Sequence, residues 1–119
     1  MALRFEKFTQ KSQEAVQRCV ELAVELKHQQ IETEHLTYAL LKVEGSMMPS
    51  LVERFNLPVG EFLGKLETEF EKYPSVEGGG QPFFSNTVNK VFTESQRIAD
   101  GMKDEFVSQE HFFLALFLR

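Results

Sequence analysis

Residues 31–41 read IETEHLTYALL, and residues 106–117 read FVSQEHFFLALF. Each places an apolar residue, a polar pair, Glu-His, and then an apolar run carrying Ala-Leu. This recurrence decides the fold, because the match extends well beyond the two segments. With residue 8 laid on residue 84, residues 8–43 lie on 84–119 without a gap. Phe8 falls on Phe84, Ala23 on Ala99, Lys27 on Lys103, Glu34 on Glu110, His35 on His111, Ala39 on Ala115 and Leu40 on Leu116. Thr9/Ser85, Leu22/Ile98, Leu26/Met102, Ile31/Val107 and Leu36/Phe112 keep their character. Seven identities in 36 positions are weak as a bare count. Their agreement with helix caps and apolar faces makes them a tandem repeat.

The spacing of apolar residues is helical almost throughout. Ala15, Val16, Cys19, Val20, Ala23 and Leu26 form one stripe of a helix that Thr9 can cap. A second helix follows Ile31, with Leu36, Ala39 and Leu40 inward. A shorter third carries Met48, Leu51, Val52 and Phe55, with Pro49 in its first turn. A fourth begins near Pro58 and places Val59, Phe62, Leu63, Leu66, Phe70 and Tyr73 at helical period. The stretch YPSVEGGGQPF interrupts with two prolines and three successive glycines, and reads as a flexible connector over 73–83. Past Ser85 the period resumes through Val88, Val91, Phe92, Ser95, Ala99 and Met102, and a last helix starts near Gln109. No alternating strand pattern appears. The expectation is an all-α, pseudo-twofold tandem repeat: one unit over 8–72, a connector, and a partial second unit over 84–119. Two helices of the first unit have no counterpart in the second, so the second is expected to be truncated and the chain a piece of a longer polypeptide. Phe112, Phe113, Phe117 and Leu118 crowd the terminal helix, so at least one is expected to face outward.

Each copy of Glu-His also has a local explanation. Ile31 and Val107 stand just before a helix, four to five positions from Leu36 and Phe112, a spacing suited to a hydrophobic staple. Ser108 is a good N-cap, and Glu34 and Glu110 lie in first turns, where a carboxylate meets the positive end of the helix dipole. Helix-start chemistry and a binding role both remain open for these residues.

Composition narrows the function. The 119 residues suffice for one domain, and 42% apolar with 26% charged residues argues against disorder. The net charge of −5, with no Lys/Arg cluster, argues against nucleic acid. The single Cys19 cannot form an internal disulfide and lies on an apolar stripe, where an inert buried thiol is expected. No apolar run nears the roughly 20 residues of a membrane span, and MALRFEKF lacks a signal-peptide core, so the expected location is cytoplasmic. EGGGQPFF has the glycines of a phosphate loop but lacks the Lys-Ser/Thr that would meet phosphate and magnesium. His28, His35 and His111 with one cysteine give no zinc spacing. Glu67, Glu69 and Glu71 run beside Lys65 and Lys72 as surface charge. No catalytic residue, metal or cofactor is expected within this chain.

Two units of the form FT…A…A…TEHL..ALL resemble the Clp repeat, the N-terminal domain of the Clp AAA+ unfoldases. The connector YPSVEGGGQPFFS and the segment FVSQEHFFLAL look most like those of the ClpB disaggregases. The resemblance covers Phe5 to Arg119. It implies a domain without ATPase activity that engages unfolded or aggregated polypeptides at the entrance of a homo-hexameric ring. ATP and magnesium would act in the parent's AAA+ modules, and the DnaK chaperone system would be its partner. By motif, the family's functional Thr and Glu fall on Thr9 and Glu110. Phe92, Ile98 and His111 fall in or beside the groove between the repeats. The plain alternatives are that Thr9 only caps, Glu110 only meets a dipole, and Phe92 is only core. An adaptor-docking domain of a ClpC/ClpA-type unfoldase that feeds a protease is a second reading. A helical scaffold without a client is a third.

Overall fold

A computed structural model describes residues 5–117. A short 3-10 turn, Phe5–Lys7, leads into α1, Gln10–Glu25, then β1, Gln30–Ile31, and α2, Thr33–Lys42. α3, Met48–Glu53, and α4, Val59–Phe70, complete the first unit. β2, Phe83–Phe84, α5, Asn86–Gly101, and α6, Gln109–Phe117, form the second.

The repeat is written in hydrogen bonds as well as in residues. Thr9 Oγ1 accepts the Ser12 N–H at 3.2 Å, and Ser85 Oγ accepts the Val88 N–H at 3.1 Å. These bonds satisfy first-turn donors that the helix cannot pair internally. At the other end Lys27 and Lys103 both take φ of 60°. The following N–H groups reach back at 2.9 Å, His28 to the Ala23 carbonyl and Asp104 to that of Ala99. Both helices therefore close with the same left-handed cap, formed by lysine rather than glycine.

Three expectations need correction. Short strands do exist: β1 pairs with β2 in parallel, Gln30 with Phe83 and Ile31 with Phe84. Two residues are too few to write an alternating pattern. The connector is not free, since the Val76 N–H donates to the Lys27 carbonyl at 2.8 Å and the Phe83 N–H to that of Gln29 at 3.0 Å. The Gln29 side chain also donates to the Gln81 carbonyl at 3.0 Å. Phe55 falls outside α3, because Asn56 turns left-handed with φ of 63° and ends the helix. Its ring is 56% exposed yet leans on Phe113 at 5.4 Å.

One core spans both units. Cys19, Leu36, Leu40, Met48, Val52, Val88, Phe92, Val107 and Phe112 are all fully buried. Of the crowded terminal residues, Phe112 and Phe113 are buried and Phe117 is partly so, packed near Phe62 at 6.2 Å. Leu118 lies outside the described residues.

Candidate functional site

The two units cross where their chains enter the paired helices. Beside the Ile31–Phe84 pairing, Phe8 bridges Val107 in parallel. The repeat alignment sets Phe8 on Phe84 and Ile31 on Val107. The two crossings are therefore one contact made twice by a pseudo-twofold exchange. The Thr9 N–H donates to the Val107 carbonyl at 2.9 Å, and the Ser85 N–H to that of Ile31 at 3.0 Å. A phenylalanine cluster fills the seam beneath. Phe8 meets Phe112 edge-on at 5.3 Å and Phe92 at 5.9 Å, and Phe92 meets Phe84 at 5.1 Å. Edge-to-face geometry suits the ring quadrupoles, so the cluster fixes orientation as well as burying area.

Thr9 lies on this seam, partly exposed; its hydroxyl caps α1 and also donates to Ser12 Oγ at 2.9 Å. Glu110 is exposed in the first turn of α6, three residues past the Val107 that Thr9 bonds, and makes no ion pair among the described residues. Ile98 is partly buried on α5, where the repeat sets it on Leu22. Phe92 has no exposed area and His111 keeps 3%. Neither side chain lines an open groove in this conformation; Phe92 belongs to the aromatic core beneath the seam.

His111 has a structural task that the sequence did not disclose. The Ser108 N–H donates to its Nδ1 at 2.8 Å, and its Nε2 meets Asp104 Oδ2 at 2.9 Å. In the first unit the Glu32 N–H donates to His35 Nδ1 at 2.8 Å. Histidine thus closes the capping box of α2, and at α6 it accepts the Ser108 N–H in the same way, the place usually held by Glu or Gln. Of the Glu-His pair, the histidine does the capping and the glutamate stays outside.

Three exposed phenylalanines stand along the seam: Phe5 at 39%, Phe83 at 55% and Phe106 at 46%. Strand alternation could have found two of them. If Val107 and Phe84 turn inward, Phe106 and Phe83 must turn out. Among the described residues no group of three or more His, Cys, Asp or Glu is placed to hold a metal. Cys19 is fully buried, and that burial pushes its thiol pKa up to about 12, far from a nucleophile's range. No described helix is long and apolar enough to cross a membrane.

Paired helical units, crossed through short strands and closed on one core, define a two-repeat helical module. The chain belongs to the Clp repeat (R) N-terminal domain family, whose model matches residues 7–119. It is 40% identical over 114 residues, 92% of its length, to the chaperone protein ClpB of Nitratidesulfovibrio vulgaris. It is 36% identical over 109 residues, 91% of its length, to that of Bdellovibrio bacteriovorus. The chain spans only 13% of the length of either relative. Its structure is similar to the Hsp104 N-terminal domain of Candida albicans, with a TM-score of 0.83, 25% identity, and coverage of 92% of this chain and 73% of that one. It is also similar in fold to a ClpV N-domain in complex with a VipB peptide, with a TM-score of 0.81, 20% identity, and coverage of 100% and 74%.

Proposed function

We propose that this chain is the client-engaging N-terminal module of a ClpB-type disaggregase, binding unfolded or aggregated polypeptide where it enters the parent ring. The observation that carries the reading is the identity of 36–40% to ClpB chaperones across nine-tenths of the chain. The seam supplies suitable chemistry. Phe5 and Phe106 offer apolar area beside the Thr9–Val107 crossing, and Glu110 offers a charge that no described cation neutralises. Burying a phenylalanine from full exposure is worth roughly 1.5–3 kcal/mol, and each of these rings, already more than half covered, adds about half of that, so two such contacts support weak, sequence-tolerant binding. Ile98 extends the apolar surface on α5, while Phe92 and His111 act from below, holding the seam in shape. In this reading the parent is a cytoplasmic homo-hexamer that draws on ATP and magnesium in its AAA+ modules and works with the DnaK system.

Binding of a reduced, alkylated, permanently unfolded protein, measured by fluorescence anisotropy, tests the proposal. The chain is expected to bind it, and Glu110→Ala and Phe106→Ala to weaken binding several-fold with helicity unchanged. Thr9→Ala is expected to weaken binding too, whereas Thr9→Ser, which keeps the capping hydroxyl, separates loss of the cap from loss of the threonine methyl. No binding of the unfolded protein, together with tight binding of a folded adaptor, would replace this reading by the ClpC/ClpA-type one.

A further inference from the structure

His28 and His35 form a buried pair that the client-binding reading does not use. They are 6% and 0% exposed, and His28 Nδ1 lies 2.8 Å from His35 Nε2. The network fixes the protons. His35 Nδ1 accepts the Glu32 N–H, so the proton of the neutral ring sits on Nε2 and is donated to His28 Nδ1. His28 then carries its own proton on the other nitrogen, on the side of the Phe70 backbone. No site is left for one more proton. On His35 it would confront the Glu32 N–H, and on His28 it would confront the His35 N–H.

The pair is roofed by the end of α4. Phe70 stacks on His35 at 4.9 Å and 12°, and Tyr73 lies over it at 5.8 Å. Burial holds both histidines below their ordinary pKa, His35 at about 4, with the neighbouring His28 charge adding to the effect. Facing the pair are Glu32 at the cap of α2, Glu34 and Tyr38 from α2, Glu67, Glu69, Glu71 and Tyr73 from α4 and the turn after it, and Lys27 from the turn after α1. Glu34 attracts a proton to His35 but offsets only part of the burial, and its charge adds to burial in raising the pKa of Tyr73. Lys27 is turned to Glu77. The second unit places Asp104 where the first has His28, so His111 meets a carboxylate instead of an imidazole.

We propose that the His28–His35 pair is an acid-sensitive latch: neutral, it holds α4 and the following turn against α1 and α2, and protonation releases them. Release would uncover Leu66 and Phe70, buried when the latch is closed. The sign follows from linkage. A histidine whose closed-state pKa is depressed contributes stability above its free pKa and loses it as pH falls toward the depressed value. For His35 alone, a free pKa near 6.5 and a closed-state value near 4 raise the open population roughly twentyfold between pH 7 and pH 5. His28 acts in the same direction.

The latch can be tested without any client, so its failure is separate from failure of the functional reading. Relaxation-dispersion NMR on this chain at pH 7 and pH 5 reads the open population of residues 59–70. The expected result is a rise of roughly twentyfold or more in α4, with α5 and α6 resonances retained. His28→Asp copies the pairing of the second unit and should flatten the response, whereas Glu34→Gln should keep it. An α4 that stays closed at pH 5, a spectrum that collapses in all helices together, or an undiminished response in His28→Asp would overturn the proposal. Should His28→Asp not fold, imidazole 15N shifts of the unsubstituted chain decide. The latch requires His35 to stay mostly neutral and protonated at Nε2 at pH 5 while α4 is closed; a ring mostly charged at pH 5 with α4 still closed would refute it.

Discussion

At the residue scale, lysine performs the turn that usually falls to glycine. Lys27 and Lys103, aligned by the repeat, share the left-handed φ of 60° that ends α1 and α5. A side chain there costs roughly 1–2 kcal/mol, and glycine's greater freedom in the unfolded chain returns about half of that. Lys103→Gly is therefore expected to stabilise the chain by about 0.5–1 kcal/mol, seen as a rise of a few degrees in the thermal midpoint. Lys103 is the cleaner site, because Lys27 also pairs with Glu77. An unchanged or lowered midpoint would show that Lys103 packing outweighs its backbone strain. Much at this scale was legible: Thr9 and Ser85 cap as their types and positions indicate. The histidines were not, because nothing in Glu-His says which ring nitrogen accepts or that the ring turns back to its own helix start. Nor could periodicity decide between core and groove for Phe92, since a stripe marks the inward face without saying what lies over it.

At the element scale, the helices followed directly from apolar spacing, whereas the strands and connector depended on partners far along the chain. β1 and β2 have only two residues each and exist because they meet. The connector is tied to the first unit because Lys27 and Gln29 offer it carbonyls. α3 shows the same dependence. It is only six residues long, and the Met47 N–H before it is accepted by the buried Gln109 Oε1 at 2.8 Å, from the start of α6. Gln109 Nε2 has no partner among the described residues. Gln109→Leu removes a useful acceptor and a costly donor together. Global stability is accordingly expected to change by less than about 1 kcal/mol, while amide exchange in residues 48–53 accelerates roughly fivefold. A change confined to the global midpoint, with α3 exchange unaltered, would show that the bond to Met47 does not hold this helix.

At the scale of the whole molecule, the repeat explains why one core serves both halves. The first unit closes against the second through Ile31 with Phe84 and Phe8 with Val107, so neither half keeps its own entrance strand to itself. The alignment of residues 8–43 on 84–119 revealed the halves, but not this exchange, because a repeat specifies units and leaves their mutual arrangement to side-chain fit. The fold is consequently expected to tolerate a break in the chain between the halves. Gly78 and Gly79 are exposed at the tip of the connector, and a protease site opened there would cut the chain into pieces of 1–78 and 79–119. The nicked pieces are expected to co-elute by size exclusion and to retain the helicity of the intact chain; separate elution would show that the crossings are weaker than their burial implies. From the reciprocal contact it also follows that the two pieces, made separately and mixed, are expected to complement one another, with helicity gained on mixing as the measure.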